Sequence, residues 1–435
     1  MLVYTPTISP RFEYIVSFIC NEFQLNAHTI TNDKNELRSF GGICINYSSE
    51  RIKDDEIWIV PHGLLAEKDI RPQSIDIFET SNLKAFFITG GDFPFDIFSA
   101  SFYLLSRYEE YLPHEKDMYG RYAHENSLAF KNGFLDKPLV NQWIGLLSER
   151  IKSKFPLVSL PSPAFRFLPT YDIDEAYSYK NKGWVRSIGG IAKQLLKGQW
   201  KAAAERMRVL SGKQNDPYDA FAWMDELHEK HQLKPRYFFL VPSKNGRYDK
   251  NILPSAKAMQ SLIKQHAEKY ETGLHPSWQS GDDISLLKKE KETLENITGK
   301  SVTISRQHYI RLTLPETSRY LTDAGIKEDY SMGYGSINGF RASVASPFYW
   351  YDLEKDEATY LQLFPFCYME ANSFFEQKQS ASESFEEMMH YYNEVKKVNG
   401  LLITLWHNTF LGTATQYKGW REVYEKFVGR LGKGK

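Results

Sequence analysis

The chain has 435 residues, of which 42% are apolar and 15% aromatic, with a formal net charge of zero and a pI of about 7.2. These values supply packed cores and exclude a disordered chain. They provide no general drive toward nucleic acid or an anionic membrane, although Lys193–Arg208 is locally basic. The length exceeds one typical core, so two domains are expected.

Three cysteines, Cys20, Cys44 and Cys367, are odd in number and widely spaced, which suits free buried thiols better than a disulfide frame or a cysteine zinc site. The opening residues MLVYTPTISPRFEYIV lack a basic start and a long apolar stretch. No run reaches the roughly 20 apolar residues of a membrane helix. The expectation is a cytoplasmic protein with no integral membrane segment.

The first part of the chain mixes short elements. Glu56–Val60 and Ala85–Thr89 read as strands, Phe95–Tyr111 and Gln142–Phe155 as helices. Pro156–Pro163 holds three prolines and reads as a linker. We therefore divide the chain into an N-terminal α/β domain, 1–160, and a second domain, 161–435.

From Phe167 onward, strands and helices alternate. Strand Phe167–Asp174 is followed by a basic, glycine-dotted insertion, Glu175–Asn215, with a helical middle. Helix Asp219–His231, strand Arg236–Val241, helix Pro254–Lys269 and strand Glu271–Ser277 come next. Helix Ile284–Asn296, strand Val302–Gln307 and helix Pro315–Ala324 follow. The glycine-rich stretch Tyr330–Gly339 precedes strand Tyr360–Pro365, helix Glu383–Val398 and strand Leu401–Trp406. Such alternation implies a parallel sheet. About seven units with polar strand ends suggest a distorted or incomplete (β/α) barrel.

Four apolar runs that contain these strands, Phe167–Asp174, Glu271–Ser277, Val302–Tyr309 and Leu401–Asn408, read as buried strands with polar ends. Asp172 and Asp174, His275 and Ser277, and Arg306 and His308 are each two residues apart, so each pair shares a strand face. The fourth strand ends in His407 and Asn408. Two carboxylates on one face need a cation or proton between them. Read on its own, each has an ordinary alternative: acids that cap a turn, histidines that pack structurally. Together they suggest a metal and acid/base site, with one Asp on a metal, the other as general base, and His275 and His308 as candidate ligands. Arg306 would pair with a catalytic carboxylate, and His407 would act as a general acid. The loop Asp329–Arg341 combines aromatics, glycines and Arg341, which suits either a sugar-contacting loop or a plain glycine-rich connection. It lacks the GxxxxGK[ST] spacing of a phosphate loop.

TYDID (Thr170–Asp174), GLHPS (Gly273–Ser277), SRQHY (Ser305–Tyr309) and LWHN (Leu405–Asn408) resemble, in order and spacing, the motifs of NodB-homology polysaccharide deacetylases. The resemblance runs from about Phe167 to the C-terminus. The part through RYEEY, Arg107–Tyr111, looks like the accessory domain of a bacterial subgroup. The resemblance implies a distorted (β/α) barrel and a metal-dependent hydrolase that removes acetyl groups from sugars. It matches Asp172 to the catalytic base, Arg306 to the arginine beside it, His275 to a metal histidine and His407 to the final catalytic histidine.

The family pattern is broken in three places. Its second, metal-binding Asp falls on Ile173, its second metal histidine on Gln279, and the proline of RxPY on His308. The expected set is therefore Asp174, His275 and His308 around one divalent ion, zinc by preference. Ser277, Trp278, Tyr309, Asp329, Tyr330 and Arg341 are the expected carbohydrate contacts. Two alternatives are hydrolysis of a non-sugar C–N bond and a carbohydrate-binding protein that has lost its ion. Nucleic-acid binding rests on the Lys193–Arg208 run alone, which is the usual composition of a solvated helix face.

Overall fold

The computed structural model describes residues 1–25, 27–161 and 163–431. Ser162 of the expected Pro156–Pro163 linker and the last four residues lie outside it.

Strands β1 (Leu2–Tyr4), β2 (Thr29–Thr31), β3 (Cys44–Tyr47) and β4 (Ile57–Ile59) form a parallel sheet in the order β2-β1-β3-β4. Helix Pro10–Glu22 follows β1. Ser9 starts it by accepting from the Phe12 N–H, and proline occupies the first turn. A hairpin of β5 (Phe78–Thr80) and β6 (Leu83–Ala85) turns through Ser81 and Asn82, both at positive φ. The expected helix Phe95–Tyr111 stops early, at Ile97–Leu105. Arg107, just past its end, sits at φ 54°, and its guanidinium makes buried ion pairs with Glu109 and Glu110.

The second half carries a nine-stranded sheet. Its strands are β7 (Arg166–Ile173), β8 (Arg236–Leu240), β9 (Glu271–His275), β10 (Ile304–Ser305), β11 (Glu328–Asp329), β12 (Phe348–Asp352), β13 (Glu357–Leu363), β14 (Tyr368–Met369) and β15 (Leu401–His407). The order is β12-β13-β11-β10-β9-β8-β7-β15-β14. Neighbours are parallel except β12, which runs antiparallel to β13. Only 364–367 separate β13 from β14, yet β13 bonds to β11 and β14 to β15. One run of chain thus joins two distant positions of the sheet order. β11, β12 and β14 were not foreseen, and β10 has shrunk to two residues of the expected Val302–Gln307.

Alternation divides the side chains between the two faces. Leu168, Phe238, Ile304, Ile403 and Leu405 pack together on one face. Tyr171, Ile173, Tyr237, Phe239 and Trp406 pack on the other, under helices that include Phe221–His231 and Trp420–Leu431. The first face is crowded enough to require glycine at 273: a Cβ there would fall 2.6 Å from Ile304 Cγ1 and 2.8 Å from Phe238 Cδ1.

The two halves share one apolar core. Val3, Phe102 and Trp143 belong to the same buried cluster as Leu312, Met332, Trp350 and Leu363. Polar ties cross as well. Glu110 accepts from Arg341 through both oxygens, Asp356 accepts from Arg11, and the Tyr14 hydroxyl donates to the Tyr349 carbonyl. All three cysteines are buried and free, as expected.

Candidate active site

The face that carries Leu168, Phe238 and Leu405 ends, at the C-terminal ends of the strands, in Asp172, His275 and His407. Register explains why they meet: Asp172 lies opposite His407 on β15 and Phe238 on β8, and Leu240 lies opposite His275. Ile173 points to the helix-covered face. This alternation brings Asp174, and not Ile173, to the site.

Asp172 is buried, and its Oδ1 accepts from Arg306 Nη1 at 3.0 Å. Arg306 is fully enclosed, donates through Nε to the Tyr330 carbonyl at 2.9 Å, and lies over the Phe238 ring at 4.6 Å. A rigid, planar guanidinium suits this double duty. Oδ2 of Asp172 stays open toward the site, 3.7 Å from His275 Nε2.

Asp174 is the hub. Its Oδ1 is 3.1 Å from His275 Nε2, and its Oδ2 is 3.3 Å from His308 Nε2 and 3.4 Å from His407 Nε2. Burial disfavours its charge, but the three imidazoles outweigh that and hold the carboxyl well below the usual range. The ligand atoms of Asp174, His275 and His308 lie within 4.8 Å of one another. The other nitrogen of each histidine is already engaged. His275 Nδ1 lies 2.5 Å from the Arg306 carbonyl, and His308 Nδ1 lies 3.0 Å from Asp249 Oδ1. That leaves each Nε2 aimed at the shared point, the tautomer a metal ligand needs. Asp174 Oδ1 is buried without a hydrogen-bond donor. The donor set and the unsatisfied oxygen together fit one divalent ion.

His308 does not continue the strand as expected. It opens a short turn, His308–Ile310, in which Tyr309 and Ile310 hold φ of 58° and 53°. Two successive left-handed residues without glycine are uncommon, and cost about 1–3 kcal/mol each. Burial would lower the His308 pKa; Asp174 and Asp249 outweigh it and raise it to about 9.

His407 is gripped by Glu370, which accepts from its backbone N–H and from Nδ1, both at 2.7 Å. Burial opposes its charge, yet Glu370 and Asp174 push its pKa well above the ordinary value. Asn408 donates to the carbonyls of Glu175 and Tyr218, fastening the insertion beside the site.

A half-buried aromatic wall adjoins His308. Tyr309 stands 4.7 Å from it, Trp278 5.4 Å from Tyr309, and Tyr248 stacks on Trp278 at 4.0 Å. Tyr119, from the N-terminal region, closes the wall 5.3 Å from Tyr309. Next to it, Arg121 donates to the Tyr309 carbonyl at 2.7 Å. Gly335 makes room for that arginine, since a Cβ there would meet Nη1 at 1.9 Å. The glycine-rich loop therefore accommodates the N-terminal region.

Several expected substrate contacts do not reach the site. Tyr330 is buried, stacks on Phe364 and donates to Glu328. Asp329 is filled by Ser305 and Ser331. Arg341 is locked to Glu110. Each is a buried structural partner. Ser277 spends its hydroxyl and N–H on the turn to Ser280 and on Glu290. Gln279 is exposed and plays no part. Trp278 and Tyr309 do join the cluster. Four residues were missed: Tyr119, Tyr248, Asp249 and Glu370. Glu370 ends an apolar run, the same signal that exposed the others. Tyr119, Tyr248 and Asp249 lie in polar loops with no periodic signal.

Residues 1–156 match the model of a family of unknown function, DUF7033. Among curated proteins none matches the sequence. Three solved structures illustrate what the fold is similar to. The polysaccharide deacetylase Bc1974 from Bacillus cereus aligns at 12% identity and a TM-score of 0.31, over 62% of this chain and 89% of its own. BA3943 of Bacillus anthracis, described as a CE4 family pseudoenzyme, aligns at 11% and 0.33, over 62% of each chain. Puue allantoinase aligns at 10% and 0.40, over 62% and 84%. Among the described residues no helix is long and apolar enough to cross a membrane.

Proposed function

We propose that this protein is a metal-dependent hydrolase of C–N bonds that removes the acetyl group from an N-acetylated sugar. The observation that carries the reading is the buried Asp172–Arg306 pair set beside Asp174, His275 and His308, with His407 across the cluster. A structural ion pair would not need three histidine Nε2 atoms turned onto one carboxylate.

In this reading Asp174, His275 and His308 hold one divalent ion, zinc by the chemistry of the donors. When bound, that ion supplies Lewis-acid polarisation of the acyl carbonyl. Asp172 takes the proton of the attacking water on Oδ2, while Arg306 occupies Oδ1 and fixes the carboxylate plane. His407, kept protonated by Glu370 and Asp174, gives its Nε2 proton to the leaving amine. Acetate and the free amino sugar result. Half-buried Tyr119, Tyr248, Trp278 and Tyr309 offer aromatic faces to a sugar ring.

The same reading treats the nine-stranded sheet as a distorted (β/α) barrel closed by the 357–369 run, with 1–160 as an accessory domain whose Tyr119 edges the cleft. Three buried free thiols suit a reducing compartment such as the cytoplasm. The test is acetate release by the zinc-loaded full chain from a panel of N-acetylated oligosaccharides and non-sugar amides. Release from the sugars, lost in Asp172→Asn with metal retained, is expected. Full metal occupancy without release from any N-acetyl sugar would refute the proposal.

A further inference from the structure

The insertion that follows Asp174 carries helices Trp184–Leu196 and Trp200–Leu210, joined through Gly198 at φ 67°. They pack closely: a Cβ on Gly190 would fall 1.8 Å from Arg206 Nη1. Helices on a protein surface normally turn polar residues outward. Here the outward residues are Trp184, Ile188 and Leu196 on the first helix, and Trp200, Met207 and Leu210 on the second. Their exposures run from 40% to 89%. Isolated exposed apolar residues are ordinary, but six on one short hairpin are not.

The charge is equally one-sided. Lys180 to Lys213 contains nine lysines and arginines and one acidic residue, Glu205, in a chain whose net charge is zero. Glu205 is already used, since it accepts from the Tyr179 hydroxyl. Lys193, Lys197 and Lys201 are exposed and form no ion pair among the described residues. Exposed tryptophan, aliphatic side chains and free lysines on the same helices describe a surface that lies in a lipid–water interface. Indoles settle at headgroup depth, the aliphatic groups enter the acyl boundary, and lysines meet anionic headgroups. Nucleic acid would use the lysines but leave Ile188, Leu196, Met207 and Leu210 facing phosphate.

We propose that the hairpin 184–210 docks this protein onto the surface of an anionic lipid bilayer. The root of the hairpin fixes the orientation. Asp216 accepts from the N–H groups of Ser178, Tyr179 and Lys180, and Asn408, next to His407, holds Glu175 and Tyr218. The bilayer therefore lies on the side of the sheet where the strands end in Asp174 and His407.

The test is co-sedimentation of the full chain with vesicles of phosphatidylcholine alone or mixed with phosphatidylglycerol, at low and high salt. Binding to the anionic vesicles should exceed binding to the neutral ones by about tenfold and weaken with salt. Trp184→Ala with Trp200→Ala, and separately Lys193→Glu with Lys197→Glu and Lys201→Glu, should each lower it by about tenfold. All five side chains are exposed, so circular dichroism of the variants should match the parent. No vesicle binding, or binding unchanged in both variants, would overturn the proposal. So would duplex DNA binding that is lost with the lysines but kept in the tryptophan variant. A dimer in solution that dissociates in the tryptophan variant would also overturn it, by assigning the face to a second copy of the chain.

Discussion

Asp249 Oδ1 accepts the Nδ1 proton of His308 at 3.0 Å, from a loop 59 residues away in sequence. The same oxygen accepts the Trp278 N–H at 2.9 Å. One carboxylate thus orients a metal-type histidine and anchors the aromatic wall beside it. Asp249→Asn should lower zinc affinity by about 10–100-fold, as loss of such partners does elsewhere, with the fold intact. A chelator-competition titration reads this directly, and unchanged affinity would remove Asp249 from the site.

Asp172→Asn keeps the shape but loses the base. Turnover should fall by about 10²–10⁴-fold, while zinc content stays at the parent level because the ion rests on other residues. Full turnover in the metal-loaded variant would reassign the base.

The pH response should change sign with metal. His308 has a folded-state pKa of about 9 against an ordinary 6.5. Its contribution to stability is fully present below the ordinary value and lost as pH rises through about 9. The metal-free protein should therefore melt at progressively lower temperature across that window. Zinc requires the neutral imidazole, so its affinity should rise over the same range. Thermal melts with EDTA and with zinc distinguish the two curves.

Tyr119 reaches the site from the other half of the chain. Tyr119→Ala should reduce kcat/KM for an N-acetylated oligosaccharide by about tenfold, the scale of one lost aromatic contact, and leave a small acetyl ester unaffected. Equal loss on both would mean that Tyr119 only supports the fold.

Arg341→Met tests the buried joint between the halves. It leaves Glu110 with Arg107 alone and should cost about 3–5 kcal/mol in urea unfolding, with zinc affinity little changed. Burial favours the neutral Glu110 carboxyl, but Arg341 and Arg107 outweigh it and lower its pKa to about 2. The parent should accordingly lose this stabilisation as pH falls from the ordinary carboxylate range through about 2.

The sequence alone determined the alternation of strands and helices after Phe167 and the polar strand ends, because period-2 patterning and strand termini are local properties. Asp172, Asp174, His275, Arg306, His308 and His407 were legible on that basis. So was the substitution of Asp174 for Ile173, since alternation along one strand decides which of them faces the site. Tertiary structure decided the rest. Whether a loop aromatic meets substrate or core depends on what packs over it, and Tyr330 and Arg341 are covered by Phe364 and Glu110 from elsewhere in the chain. His308 sits at the start of a short turn instead of on the strand, and the left-handed Tyr309 and Ile310 that follow it are encoded by no periodicity. Asp249 joins it because the loop after β8 meets His308, Glu370 because β14 lies beside β15, and Tyr119 because the N-terminal region shares the core. Contacts between residues far apart in sequence carry no local signature, so only the folded chain reveals them.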